Sequence, residues 1–221
     1  MRTTQTRDRA RDAETPQQIV RAGYDKIAGR YFAWSDANPS EARQRALELA
    51  LEAIPPGSDV LELGSGAGVP MTAALAVGRS VTGVDISAAQ IALATANVPT
   101  ATFVPADLTT YDRPAASVDA VVAFYSLTHI PREELVPLLG RIRRWLRPGG
   151  VFLASLGVED DPGGIEDDWL GVPMYFSHFS AKVNRRLVEE AGLVIEWAEV
   201  VTEPEDRHDA RFLWVLARAP A

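Results

Sequence analysis

The sequence predicts an α/β protein, with a mostly parallel seven-stranded sheet that holds one antiparallel strand and carries helices on both faces. Two patterns carry this expectation. Five short apolar runs, at 59–63, 80–84, 101–104, 118–124 and 151–156, alternate with helical segments, as strands do when covering helices join them in parallel. Two further runs, LVIEWAEVV and ARFLWVLARA, follow one another across a polar loop. A hairpin-like connection there places one strand antiparallel to its neighbours.

The elements follow in order. Residues 1–15, MRTTQTRDRARDAET, mix charges without an apolar core; they read as a disordered tail and not as a secretory signal. A single domain is expected over 16–221, beginning with a helical cap over 16–54. Thr15 is placed to N-cap a first helix and Pro16 to occupy its first turn, although Gly23 and Gly29 weaken its middle. Ser40 caps a second helix, EARQRALELALEAI, with Leu47, Leu51 and Ile54 on one face, and Pro55-Pro56-Gly57 stops it. Helices near 68–77, 87–96 and 132–146 lie between the strands. The last spaces Leu135, Leu138, Leu139, Ile142 and Leu146 as one buried stripe. An irregular insert spans 157–179, and a helix near 180–191 ends at Gly192.

Composition narrows the function. No stretch approaches 18 apolar residues, so no membrane span is expected. The net charge of -8 argues against a nucleic-acid partner. The absence of cysteine excludes disulfides, thiolate chemistry and Cys-based metal sites. A cytoplasmic protein is expected, as a monomer or homodimer.

The stretch VLELGSGAGVP, 60–70, sets glycines at every second position after a strand. A dinucleotide site wants G-x-G-x-x-G, which places a glycine where this chain has Val69. A glycine-rich turn that serves geometry alone is the other alternative. Asp85, in VDIS, lies 21 positions after Gly64 at the end of the second strand, where a carboxylate can accept from both ribose hydroxyls or cap the next helix. Asp107 ends the third strand, where it can accept from an adenine amino group. Three strand ends thus converge on one nucleoside.

VLELGSGAGVP, GVDIS, FVPADL, VDAVVAFYSLTHIP and LRPGGVFLAS, in this order, resemble the class I S-adenosylmethionine-dependent methyltransferases, over roughly residues 20 to 157. The resemblance implies their Rossmann-like fold and S-adenosyl-L-methionine as cofactor. It implies Gly64, Ser65 and Gly66 along the methionyl part and Asp85 on the ribose. Ile86 then flanks the adenine, and Asp107 accepts from its amino group, with Ala106 and Leu108 nearby. Phe124 and Tyr125 border the cofactor after the fourth strand. YDKIAGRY resembles the helix that covers the cofactor, which makes Tyr24 and Tyr31 contacts or mere packing.

The acceptor is expected to be a small molecule methylated on O or N by in-line displacement. His129 is the candidate base, or a histidine that only braces its loop, with activity rising through a pKa near the ordinary value of about 6.5. Trp169, Met174, Tyr175, Phe176 and His178 are candidate acceptor contacts, or a seal on the core. The insert reads as a lid hinged at Gly163-Gly164, whose acids, Asp167 and Asp168 among them, favour a cationic acceptor, or as a solvated loop. His208 is expected in solvent. No His-x-x-x-His or His-x-Glu spacing suggests a metal, so none is expected. A dinucleotide-dependent oxidoreductase and a non-catalytic cofactor-binding domain remain as alternatives.

Overall fold

The computed structural model describes residues 14–204 and 209–221. Most of the expected tail, 1–13, and His208 lie outside the described residues. The sheet has the strands β1 (Asp59–Leu63), β2 (Ser80–Asp85), β3 (Thr102–Pro105), β4 (Val118–Ala123) and β5 (Leu146–Leu156). Two more, β8 (Val194–Pro204) and β9 (Asp209–Arg218), complete it, and the order across the sheet is β3-β2-β1-β4-β5-β9-β8. β9 runs antiparallel to both of its neighbours, β5 and β8. The chain therefore reverses its direction of winding between β1 and β4, both parallel, and the crevice at that switch is where such sheets bind ligands.

Among the described residues, six α-helices flank the sheet: α1 (Pro16–Ala37), α2 (Glu41–Ala53), α3 (Met71–Leu75), α4 (Ala88–Asn97), α5 (Arg132–Trp145) and α6 (Ala181–Glu190). On α5 the expected stripe is buried, and Trp145 completes it while Leu146 already opens β5. Ile142 is fully buried there. Ile142→Val should cost about 0.5–1.5 kcal/mol, read as a lowered urea midpoint with an unchanged slope. On α2 the buried line is Ala46, Ala50 and Ile54, with Leu47 and Leu51 beside it. Small residues let this helix lie close to the sheet.

α1 runs unbroken through both glycines. Gly23 is there for proximity: a Cβ on it would lie 2.8 Å from the Met174 terminal methyl. Thr15 and Gln18 form a reciprocal capping box at its start. Asp25 ties α1 to the start of α4 by accepting from the Ser87 hydroxyl (2.6 Å) and the Ala89 amide (3.1 Å).

The insert is not irregular. It forms a hairpin of β6 (Asp161–Trp169) and β7 (Val172–His178). Its two-residue turn, Leu170-Gly171, has φ of 49° and 79°, the positive values that suit a tight hairpin between right-twisted strands. Gly163-Gly164 is no free hinge, because Gly164 pairs with Phe176 beside a bulge. β7 packs on α1 through Val172 and Met174.

Candidate functional site

The carboxyl ends of β1 to β4 build the floor of a cleft under α1. After Leu63 the chain turns through Gly64, whose φ of 78° places it in the left-handed region. A Cβ there would lie 2.2 Å from that of Ser126, whose hydroxyl donates to the Leu63 carbonyl at 2.6 Å. Gly64 and Ser65 both donate amide hydrogen bonds to the Val84 carbonyl, at 2.7 and 3.1 Å, which fastens the loop to β2. Gly66, with φ of 52°, has open space where a side chain would stand.

Asp85 supports this loop from the end of β2. Its carboxylate accepts the Gly66 and Ser87 amides, each at 2.9 Å. Asp107, after β3, accepts both the amide and the hydroxyl of Thr109 on one oxygen, at 2.8 Å. The cleft encloses about 1050 Å3 free of protein atoms, its solvent mouth included, ample for a nucleoside-sized ligand.

A second, wider cleft opens beside the first, between the α1–α2 junction, the β6–β7 hairpin and the ends of β8 and β9. Tyr24, Tyr31, Arg43, Tyr125 and His129 line both, and so form the wall where groups bound on either side meet. The Tyr24 hydroxyl bonds His129 Nε2 at 2.9 Å, and the other ring nitrogen, Nδ1, lies 3.0 Å from the Tyr175 carbonyl. A carbonyl only accepts, so Nδ1 carries the proton and Nε2 accepts from Tyr24. Tyr125 takes a φ of 60°, a strain tolerated at sites that its surroundings hold firmly. The Tyr125 hydroxyl donates to Glu203 at 2.8 Å.

Burial sets the charges. It raises the Glu62 carboxyl to about 8, against the Thr72 hydroxyl that donates to it at 2.5 Å and with help from the Asp85 charge. Burial raises Asp85 to about 6, although the Ser87 and Gly66 amides pull the other way. It lowers His129 to about 4, since an imidazolium there is poorly solvated, while the Tyr175 carbonyl opposes the shift. Burial and then the Glu203 charge push the Tyr125 phenol upward.

Residues 60–150 match the profile of the methyltransferase domain. A probable S-adenosylmethionine-dependent methyltransferase of Mycolicibacterium smegmatis is 34% identical over 142 residues, 63% of this chain and 53% of that protein. The chain resembles the S-adenosylmethionine-dependent methyltransferases over residues 60–150, the stretch that the domain profile matches. It spans about half the length of the curated relatives it matches. The fold agrees with solved structures. The [4+2]-cyclase SpnF superposes with a TM-score of 0.73 at 21% identity, over 95% of this chain and 97% of that one. The 1,6-didemethyltoxoflavin-N1-methyltransferase of Burkholderia thailandensis, solved with bound 1,6-didemethyltoxoflavin and S-adenosylhomocysteine, gives 0.68 at 21%, over 94% and 92%.

The fold gathers most of the candidate cofactor residues along the first cleft. Gly64, Ser65, Gly66, Asp85, Ile86, Asp107, Leu108, Phe124 and Tyr125 line it, with Tyr24 and Tyr31 above. Ala106 instead packs against the main core. Among the candidate acceptor residues, Trp169, Phe176 and His178 line the wider cleft. Met174 is fully buried against α1, and Tyr175 meets His129 through its backbone. Asp167 and Asp168 are exposed, whereas Glu159, Asp161 and Glu166 line the cleft. Among the described residues no group of three or more His, Asp or Glu comes together to hold a metal, and no helix is long and apolar enough to cross a membrane.

Several cleft residues went unnoticed in the sequence. Glu62 stands inside the quoted motif, in a strand otherwise apolar, and that was its one signal. Gln90 is buried on α4 and lines the cleft with both amide atoms unpartnered, as is the Ser65 hydroxyl. Such orphaned groups are costly unless a ligand satisfies them. They fit a nucleoside cofactor, and so does the open space at Gly66.

Proposed function

We propose that the chain is an S-adenosylmethionine-dependent methyltransferase acting on a nitrogen or oxygen of a small molecule. One observation carries this reading: two clefts, one floored by the methyltransferase glycine loop, share a wall made of Tyr24, Tyr31, Arg43, Tyr125 and His129. Asp85 would hold the ribose hydroxyls, Asp107 the adenine amino group, and Gly64 to Gly66 the methionyl part, with Glu62 facing its ammonium. Bound there, S-adenosylmethionine supplies an electrophilic methyl for in-line displacement by the acceptor.

The protein's own task is to hold the acceptor in line, exclude water and take a proton. His129 is the proton acceptor, acting through Tyr24. The acceptor's proton passes to the Tyr24 oxygen as the Tyr24 proton passes to Nε2. The hairpin, packed on α1, supplies Trp169 and Phe176 as an apolar wall over that step.

The test is transfer of a labelled methyl from S-adenosylmethionine to a panel of small amines and phenols. Labelled product and S-adenosylhomocysteine in equal amounts support the reading. Tight cofactor binding with no product from any acceptor class would favour the non-catalytic alternative.

Glu62 adds a pH prediction. With a carboxyl pKa of about 8 in the free protein, it is largely protonated at neutral pH. The ammonium favours its ionised form, so binding S-adenosylhomocysteine at pH 7 should release a proton and tighten as pH rises toward 8. Calorimetry in buffers of different ionisation enthalpy reads that proton; Glu62→Gln should abolish it.

A further inference from the structure

The wider cleft contains a charge that the methyl-transfer reading leaves without a task. Glu203, near the end of β8, is only 7% exposed and lines this cleft. Its carboxylate accepts from the Ser40 hydroxyl and from Tyr125 on one oxygen, and weakly from the Trp214 indole at 3.4 Å on the other. All three donors are neutral. Among the described residues no cation lies within ion-pair distance of Glu203. A buried carboxylate without a cation is costly, and one oxygen still has room to accept.

Among the described residues, neither arginine that lines the same cleft is in ion-pair contact with Glu203, although the Arg43 charge reaches Tyr125. Arg43 donates to the Ser35 hydroxyl at 2.7 Å, and Arg211 pairs with Glu159 at 3.6 Å. Aromatic rings line the same cleft. Tyr31 stacks near Trp34 (5.9 Å between centroids) and meets Trp169 (5.7 Å), which meets Phe176 (5.9 Å). Flat ring surfaces favour an apolar or aromatic body and also attract a cation.

Resting on the methyltransferase reading of this site, we propose that Glu203 is the recognition group for a positively charged nitrogen of the acceptor, and that the cleft takes flat, apolar amines. The ammonium donates to the free lone pair of Glu203, and the molecule's body lies along Trp34, Trp169 and Phe176. An anionic acceptor would face an uncompensated carboxylate and be rejected. Ser40 and Tyr125 are positioning residues that fix the carboxylate.

The probes are phenethylamine and 3-phenylpropionate, a matched pair of opposite charge, titrated with and without saturating S-adenosylhomocysteine. The wild-type protein should bind the amine at least tenfold tighter than the acid. Glu203→Gln should lower amine affinity at least tenfold and leave S-adenosylhomocysteine affinity unchanged. Ser40→Ala removes one donor to Glu203 and loosens the α2 cap but keeps the carboxylate, so amine affinity should fall less than in Glu203→Gln while the preference for amine over acid persists. Equal binding of amine and acid, binding of neither, or full amine binding by a folded Glu203→Gln variant overturns the proposal. The wild-type comparison decides even where that variant does not fold. Failure of S-adenosylhomocysteine to bind strikes the methyltransferase reading alone, because the amine preference is also read without it.

Discussion

Asp85→Ala should weaken S-adenosylhomocysteine binding by about 30- to 700-fold, the equivalent of roughly 2–4 kcal/mol of charge-assisted hydrogen bonding. The expected loss has two parts. The alanine cannot accept from the ribose hydroxyls, and it also releases the Gly66 and Ser87 amides that the carboxylate now fixes. The fold should survive, since Asp85 stands at the end of β2, where its carboxylate accepts from loop amides and not from a core ion pair among the described residues. Asp85→Asn, which keeps an accepting oxygen, should fall between the two. Calorimetry measures the affinity and a thermal melt the fold. Unchanged binding by a folded Asp85→Ala variant would remove Asp85 from the cofactor site.

His129→Ala should lower turnover by about 100-fold or more while leaving cofactor affinity nearly intact. The pH dependence differs from that of an ordinary histidine. Burial holds His129 at about 4, so its lone pair is available throughout the neutral range and turnover should not rise through pH 6.5 on its account. The same shift affects stability. In the unfolded chain the ring titrates near the ordinary value of about 6.5. Its contribution to stability is therefore complete above that pH and is lost as pH falls through 6.5 toward 4. The wild-type denaturant midpoint should therefore fall as pH drops from 6.5 toward 4, and His129→Ala should lack that part of the fall. A turnover that climbs with a pKa near 6.5 would contradict the buried, neutral imidazole.

Legibility followed the range of the interactions involved. The alternation of apolar runs with helices, and the stripe on α5, are local patterns, and from them the sheet and its one antiparallel strand could be read. The loop from Gly64 to Gly68 was legible because left-handed backbone demands glycine. Gly23 misled for the converse reason. In sequence it weakens a helix, while in the fold it makes room for Met174, which arrives from 151 positions away. The insert was misread because DPGGIEDDW is poor in strand-forming residues, so only Gly171 signalled its tight turn.

The site's electrostatics were the least legible part. Nothing local marks Glu203 or Gln90, since each acquires meaning only when distant elements bury it. Asp167 and Asp168 drew attention as a run of acids, yet it is Glu203, isolated in sequence, that is buried without a cation. The ordinary pKa first assigned to His129 failed on the same ground: desolvation is a property of the packed α1, the hairpin and β4, and not of SLTHIP.

The most direct measurement is calorimetry of the purified chain with S-adenosylhomocysteine, S-adenosylmethionine and NAD(P) in parallel. The account predicts saturable one-to-one binding of both sulfur nucleosides, weakened by Asp85→Ala, and no heat from the dinucleotide. Binding of NAD(P) with no response to S-adenosylhomocysteine would contradict it.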